Sequence, residues 1–135
     1  MTDGTIDHIG IATSSLDESQ QLWSILGFTQ GEDQINSEEG VKIRFMNGNT
    51  STRIELLEPL GDDTPVGKFI AKYGPGIQQI AVRVDDIETT ISNLLSDGVK
   101  MVSEIPTLGA DGHRIAFVHP SSAGGVLIEL VESNT

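Results

Sequence analysis

The first alternation of hydrophobic and polar positions along the chain predicts a β-strand. Residues 5–13 are rich in isoleucine and change character with a period of two. Because successive side chains of a strand point to opposite faces, His8 shares a face with Gly10 and Ala12 rather than with its isoleucine neighbours. These small residues leave room beside the imidazole.

A helix and two further strands follow in the first half of the chain. Ser15 stands three residues before Glu18, at the capping-box spacing, and apolar residues then recur with helical period until Gly27 ends the helix. Strands are predicted at 41–46 and 52–58, on either side of an Asn-Gly-Asn turn signal. With one further strand whose position the pattern does not give, the first half is interpreted as a β-α-β-β-β module.

The second half repeats this plan after a linker that is rich in proline and glycine. One short helix is predicted within the linker, from Pro65 to Tyr73, because proline is favoured at the start of a helix. The elements predicted beyond it are a strand at 77–84, a helix at 86–97, and strands at 99–103, 113–118 and 125–132.

The length favours one domain. Each half is too small to bury an adequate core alone, so the 135 residues are predicted to form a single domain, 1–135. Its half-modules occupy approximately 5–60 and 76–133, and the linker occupies 61–75.

The two halves also repeat in sequence, and the repeat pairs four residues that are able to bind a metal. The stretches Ile6–Ala12 and Ile77–Arg83 open the halves and align at a shift of 71 residues, so that His8 matches Gln79. The closing strands align at a shift of 74 residues, so that Glu55 matches Glu129. A duplicated module folded back on itself would bring both pairs into one cleft.

Composition narrows the classes of function. The net charge of −12, from 8 basic and 20 acidic residues, argues against nucleic acid, because phosphate binding requires clustered Lys and Arg. The chain has no apolar run long enough for a membrane span and no secretory leader, so a cytoplasmic location is expected. It has no cysteine, which leaves carboxylate, imidazole and amide groups as metal ligands.

Two β-α-β-β-β units, with His in the first strand of one and Glu in the last strand of both, resemble the vicinal oxygen chelate superfamily. Within it, six stretches in order resemble methylmalonyl-CoA epimerases. These stretches are Asp7 to Ala12, Ile54 to Leu60, Gly74 to Ile77, Val84 to Ile87, Ile115 to Pro120, and Gly124 to Leu130. The resemblance implies an α+β fold in which the two modules form a curved mixed sheet around a central cleft.

The resemblance also implies a ligand set for a divalent metal. Carried over by position, the ligands are His8, Glu55, Gln79 and Glu129. The family has a His pair where this chain has Gln78 and Gln79, although some related glyoxalase I enzymes use one His, one Gln and two Glu. One nitrogen and three oxygens favour Co²⁺, Mn²⁺ or Mg²⁺ over Zn²⁺.

The activity implied by the resemblance is the interconversion of the 2R and 2S forms of methylmalonyl-CoA, an isomerase reaction. A metal-stabilised enolate would form when Glu129 takes the α-proton, and Glu55 would return a proton on the opposite face. Some family members carry a further glutamate, proposed there as a base, where this chain has Ile43. The partners implied are an acyl-CoA substrate and a second copy of the chain, as a homodimer.

Two alternatives stay open at this point, and Gln79 favours both. The first is another enzyme of the superfamily, such as a glyoxalase-type isomerase. The second is a metal-free protein that binds a small molecule, of the resistance or sequestration type.

Two other histidines and a glycine pair have structural interpretations. His119, followed by proline at the end of a strand, is typical of a turn, and a direct role for His113 is less expected still. Gly124 and Gly125 are expected to permit a close approach of the backbone rather than to form a phosphate loop, because no helix is predicted after them.

Overall fold

The computed structural model describes residues 4–109 and 112–133. Contacts divide the chain into two compact units. The N-terminal unit is His8–Gln78, and the C-terminal unit consists of the described residues of Met1–Asp7 and Gln79–Thr135. Within the described ranges, no helix combines the length and the apolar character that crossing a membrane requires.

The N-terminal unit is a β-α-β-β-β module followed by a short helix. Its elements are β1 (Ile6–Ala12, which begins in the C-terminal unit), α1 (Leu16–Ile25), β2 (Thr29–Asn36), β3 (Val41–Asn47), β4 (Arg53–Pro59) and α2 (Pro65–Tyr73). The strands lie in the order β2-β3-β4-β1. Strand β1 pairs with β4 in parallel, and the other pairs are antiparallel.

The C-terminal unit repeats the plan. Its elements are β5 (Gly76–Val84), α3 (Ile87–Ser96), β6 (Thr107–Leu108), β7 (Arg114–Val118) and β8 (Leu127–Glu132). The strands lie in the order β5-β8-β7-β6, with β5 parallel to β8. The predicted α+β class and its two β-α-β-β-β modules are therefore confirmed.

Each module buries the apolar residues of its strands against its own helix. In the N-terminal unit, Met46 and Leu56 are 0% exposed and pack with Leu16 of α1. Burying side chains of this size contributes about 1.5–3 kcal/mol each. In the C-terminal unit, Ile87 and Ile91 of α3 pack in the same way on the strands. The helices therefore cover one face of the strands, and alternation places His8 and Glu55 on the other.

The last glutamate of each module holds the first turn of the helix of that module. The backbone N–H of Leu16 donates to Oε1 of Glu58 at 2.9 Å, and that of Ile87 donates to Oε2 of Glu132 at 3.0 Å. Glu58 and Glu132 are related by the same shift of 74 residues as Glu55 and Glu129. Because the first N–H groups of a helix have no partner within it, a carboxylate there satisfies a donor and complements the helix dipole. The internal repeat thus includes a stabilising contact that the sequence pattern did not reveal.

One predicted strand is wrong and another was not located. The segment 99–103 forms only an isolated bridge, in which Met101 pairs with Val118. The polar pair Ser103 and Glu104 and then Pro106 follow, so the ladder does not continue. Strand β2 has no apolar alternation, since its sequence is TQGEDQIN and most of its residues are exposed.

Candidate functional site

Two of the four candidate ligands, His8 and Glu55, lie on neighbouring strands of the N-terminal unit. In the register of β1 and β4, Gly10 stands opposite Glu55, and its lack of a side chain leaves space for the carboxylate. Nε2 of His8 lies 3.5 Å from Oε1 of Glu55. Both residues are 4% exposed. These two side chains therefore share a buried face of the N-terminal unit.

Phe45 and Arg53 extend this pair into a layer of four side chains. The rings of Phe45 and His8 meet edge to face, with centroids 5.6 Å apart and an angle of 83° between the planes. The guanidinium carbon of Arg53 lies 4.0 Å from the centroid of the Phe45 ring. Stacking against one ring restrains both His8 and Arg53.

The second pair, Gln79 and Glu129, lies in the C-terminal unit. The side-chain amide Nε2 of Gln79 donates to Oε1 of Glu129 at 2.6 Å. Gln79 is 7% exposed and Glu129 is 6% exposed. They lie on the parallel strands β5 and β8, where Glu129 stands opposite Ala81. An amide carries both a donor and an acceptor, and it is the donor, Nε2, that holds Glu129.

The donor chemistry of these residues fits a divalent metal. Two ligands of one ion bound at about 2.1 Å lie about 3 Å apart, and the 3.5 Å between His8 and Glu55 is close to that separation. An imidazole and a carboxylate in the N-terminal unit, and an amide and a carboxylate in the C-terminal unit, are donor types that such ions accept. Across residues 4–109 and 112–133, no group of three or more His, Cys, Asp or Glu side chains is arranged to hold a metal.

The remaining histidines each contact the backbone through Nδ1. Nδ1 of His119 accepts a hydrogen bond from the backbone N–H of Ser121 at 3.0 Å and caps the short 3-10 helix Pro120–Ser122. Nδ1 of His113 lies 3.0 Å from the backbone oxygen of Glu132. The interpretation of His119 as a turn residue is confirmed.

The structure also shows the backbone conformation of the glycine pair and the surroundings of Ile43. Gly124 and Gly125 have φ angles of 67° and 99°, a region that favours glycine. Ile43 is 5% exposed and stands opposite Leu57 on β4, so an apolar pair occupies the position where some epimerases have a glutamate.

A cavity of about 470 Å³ lies elsewhere in the N-terminal unit, between α1 and β2. Its lining contains none of the four candidate ligands and consists of Asp17, Gln20, Gln21, Ser24, Ile25 and Gln30. Two of these residues, Asp17 and Gln20, accept hydrogen bonds from the buried guanidinium of Arg44 at 2.8 and 2.7 Å. The cavity is therefore bounded by groups that hold Arg44 in place.

The chain matches the family described as the Glyoxalase/Bleomycin resistance protein/Dioxygenase superfamily over residues 7–117. It is 39% identical to the mitochondrial methylmalonyl-CoA epimerase of Dictyostelium discoideum over 131 residues, covering 96% of this chain and 78% of the relative. The chain belongs to the methylmalonyl-CoA epimerase family. It is also 34% identical to the ethylmalonyl-CoA/methylmalonyl-CoA epimerase of Cereibacter sphaeroides, covering 94% of this chain and 96% of that one.

Solved structures of epimerases have the same fold. The methylmalonyl-CoA epimerase of Mycobacterium tuberculosis superposes with a TM-score of 0.89 at 39% identity, covering 96% of this chain and 88% of that chain. A methylmalonyl-CoA epimerase in complex with methylmalonyl-CoA and NH4+ gives a TM-score of 0.88 at 36% identity, covering 96% and 94% of the two chains. The vicinal oxygen chelate fold expected from the resemblance is therefore confirmed.

Sequence reasoning missed Arg53 as part of this face. The available signal was its position two residues before Glu55, which by alternation places both side chains on one face of β4. Its stacking on Phe45 depends on strand register, since Phe45 stands opposite Glu55 and diagonal to Arg53.

Proposed function

We propose that this chain interconverts the 2R and 2S forms of methylmalonyl-CoA. Its relatives support an isomerase of the epimerase type. The observation that carries the proposal is the pair of buried carboxylates, Glu55 and Glu129, at equivalent positions of the two modules. Burying a carboxylate is costly unless a partner or a function compensates, and the reaction requires a base in a dry site.

The proposed site includes a divalent metal. His8, Glu55, Gln79 and Glu129 would hold it, and Co²⁺, Mn²⁺ and Mg²⁺ suit this donor set better than Zn²⁺. When bound, the metal supplies a Lewis acid that stabilises negative charge developing on the thioester oxygen.

Glu129 is the proposed base. Its carboxylate takes the α-proton, the C–H bond breaks, and the electron pair moves onto the thioester oxygen to give an enolate. Glu55 is proposed to act in its protonated form on the opposite face: its O–H bond breaks, the proton goes to the planar carbon and inverts the centre, and Glu55 is left ionised while Glu129 is left protonated. The amide of Gln79 holds the Glu129 carboxylate through the 2.6 Å hydrogen bond and thereby orients it.

The substrate class is an acyl-CoA that carries a second carbonyl group. A relative whose name includes both ethylmalonyl-CoA and methylmalonyl-CoA supports methylmalonyl-CoA or a close analogue. The thioester acidifies the α-carbon, because the charge of the enolate rests on the thioester oxygen, and this suits proton transfer to a carboxylate base.

The direct experiment is exchange of the substrate α-proton with solvent deuterium. Metal-loaded protein in D₂O should replace the α-hydrogen of methylmalonyl-CoA, followed by NMR or mass spectrometry. A lack of exchange with protein shown to be folded and metal-loaded would rule out the proposal.

A glyoxalase-type isomerase is the second candidate. The observation that favours it is Gln79, because one His, one Gln and two Glu is a set found in some related glyoxalase I enzymes. Turnover of the glutathione adduct of methylglyoxal without α-proton exchange on acyl-CoA would support it. A metal-free binding protein would instead show metal content near zero after growth with Mn²⁺ and Co²⁺.

Two further expectations rest on the family resemblance alone. A homodimer would appear in light scattering as twice the mass of the 14.4 kDa chain at micromolar concentration. A cytoplasmic location would appear when cells producing the native gene product are fractionated.

A further inference from the structure

Arg53 occupies the same face of the N-terminal unit as the His8 and Glu55 pair. Strand alternation places Arg53 and Glu55 on one side of β4, and the register of β1 and β4 sets Arg53 directly opposite His8. Neighbouring strands lie about 4.8 Å apart, and residues two apart on a strand about 7 Å. A group bound beside His8 or Glu55 is therefore within reach of the long Arg53 side chain.

Phe45 fixes where the guanidinium of Arg53 lies. The carbon at the centre of the guanidinium is 4.0 Å from the centroid of the Phe45 ring. The same ring contacts His8 edge to face. A cation held on an aromatic face loses less conformational freedom when it binds an anion than one on a mobile stem. The ring thus holds Arg53 at a set position beside the candidate ligands.

The other cations of the N-terminal unit stand on β3 and α2. Arg44 binds both carboxylate oxygens of Asp33 through Nε and Nη2, at 2.7 and 2.8 Å, and these hydrogen bonds lower the pKa of Asp33. Lys42 lies 3.7 Å from the same carboxylate. Lys68 and Lys72 are exposed on α2. Among the cations of this unit, Arg53 is therefore the one that shares a face with His8 and Glu55.

The geometry points to Arg53 as the residue that binds the free carboxylate of the acyl group and so selects malonyl-type thioesters. This inference rests on the proposed function, because it assumes an acyl-CoA substrate at this face. A carboxylate has about four acceptor positions, so it accepts a bidentate pair of N–H groups from arginine and still has acceptor positions left. In a chain with a net charge of −12, a placed cation also offsets repulsion of an anionic substrate.

The test compares two ligands that differ only in the carboxylate. The dissociation constant of methylmalonyl-CoA is compared with that of isobutyryl-CoA, in which a methyl group replaces the carboxylate. The methylmalonyl-CoA is first equilibrated between its two forms, so that turnover makes no net change. The titrations use wild-type protein, Arg53→Gln and Arg53→Lys. We expect Arg53→Gln to weaken methylmalonyl-CoA binding about 10–100-fold, the loss typical of a charge-assisted pair, and isobutyryl-CoA binding less than about twofold.

Matched variants separate a local effect from a general one. Lys68→Gln makes the same change in net charge on an exposed part of the same unit and should leave both dissociation constants unchanged. Arg53→Lys keeps the charge but loses the planar fork, so its loss of discrimination should be intermediate. If Arg53→Gln does not fold, as judged by circular dichroism, the binding of the two ligands to Arg53→Lys is compared with their binding to wild type instead.

Each outcome supports or overturns the inference. An equal loss for both ligands means that Arg53 contacts the CoA portion, such as its phosphates, and overturns it. No loss for methylmalonyl-CoA, or wild-type protein that does not distinguish the ligands, also overturns it. Discrimination that depends on Arg53 in a protein that exchanges no α-proton would support the inference while the epimerase proposal fails. Exchange of the α-proton, with ligand discrimination that does not depend on Arg53, would support the epimerase proposal and overturn the inference.

Discussion

The side-chain amide of Gln79 donates a 2.6 Å hydrogen bond to the buried carboxylate of Glu129, the proposed base. Gln79 stands where the epimerases resembled by this chain have a histidine ligand. An imidazole has one nitrogen on each side of its ring, whereas an amide has one nitrogen and one oxygen. As a proposed ligand, Gln79 would offer an oxygen in place of an imidazole nitrogen, while its Nε2 donates to Glu129.

The first prediction concerns metal preference. Gln79→His should raise the affinity for Zn²⁺ relative to Mn²⁺, because a second imidazole suits Zn²⁺ better than an amide does. We expect the ratio of Zn²⁺ affinity to Mn²⁺ affinity to rise at least about tenfold, since mutating even a residue that only hydrogen-bonds to a ligand changes metal affinity 10–100-fold. Dissociation constants are measured on metal-free protein by competition with a chromophoric chelator.

The neighbouring residue provides the control for that experiment. Gln78→His adds the same imidazole one position earlier on β5, where alternation points the side chain to the other face. It should leave the Zn²⁺ to Mn²⁺ ratio unchanged. Equal shifts in the two variants would show that position 79 is not a ligand.

The second prediction concerns proton transfer. Glu129→Gln keeps the shape of the side chain but removes its basicity, so α-proton exchange should fall by about 10²–10⁴-fold, the usual contribution of a general base. Glu55→Gln should slow epimerisation more than exchange if Glu55 acts on the opposite face. Both rates come from NMR of methylmalonyl-CoA in D₂O.

An exposed glutamate serves as the reference for these variants. Glu104→Gln makes the same substitution at an exposed position, and this variant should exchange the substrate α-proton at the wild-type rate. Wild-type exchange in Glu129→Gln, with metal content and thermal stability unchanged, would exclude Glu129 as the base.

The third prediction concerns stability at acid pH. The hydrogen bonds from Arg114, and then that from the backbone of Ile87, lower the pKa of Glu132 from 4.5 to about 2. A group whose pKa falls on folding adds stability above its unfolded pKa. That stability is lost as the pH falls from about 4.5 to about 2. Urea unfolding should therefore show wild type more stable than Glu132→Gln at pH 6 and nearly equal to it near pH 2.

A second variant identifies the cause of this pH dependence. Arg114→Gln removes the main donor to Glu132 and should flatten the pH dependence between the same limits. If the difference in unfolding free energy between wild type and Glu132→Gln stays constant from pH 6 to pH 2, the carboxylate is not responsible.

The fourth prediction concerns Gly67 in helix α2. A Cβ atom added there would clash with the backbone oxygen of Gly61. Alanine usually stabilises a helix relative to glycine by about 1 kcal/mol. Here the clash should reverse the sign, and Gly67→Ala should cost about 1–3 kcal/mol of unfolding free energy. Urea denaturation at pH 7 measures it.

Gly76 is the comparison for this change. A Cβ atom at that position meets nothing within 4 Å, and its φ is not positive. Gly76→Ala should therefore change the free energy of unfolding by less than about 0.5 kcal/mol. A stabilised Gly67→Ala protein would mean that the backbone near Gly61 yields easily.

Much of the fold could be predicted because its signals are local. The helix that begins after the Ser15 cap, the helix at Pro65–Tyr73 and the strand that carries His8 all follow from residues a few positions apart. Strand β2 was not located, because a polar edge strand has no apolar period. The segment 99–103 resembles a strand in composition yet makes only one bridge.

The sequence by itself determined the duplication, the two modules, and the pairing of His8 with Gln79 and of Glu55 with Glu129 by position. Only the tertiary structure decided that Arg53 stacks on Phe45 and that Glu58 and Glu132 hold the helix starts. These contacts join residues on different elements, so they depend on strand register and side-chain rotamer. Periodicity along the chain specifies which face a side chain occupies, but not which atom it meets there.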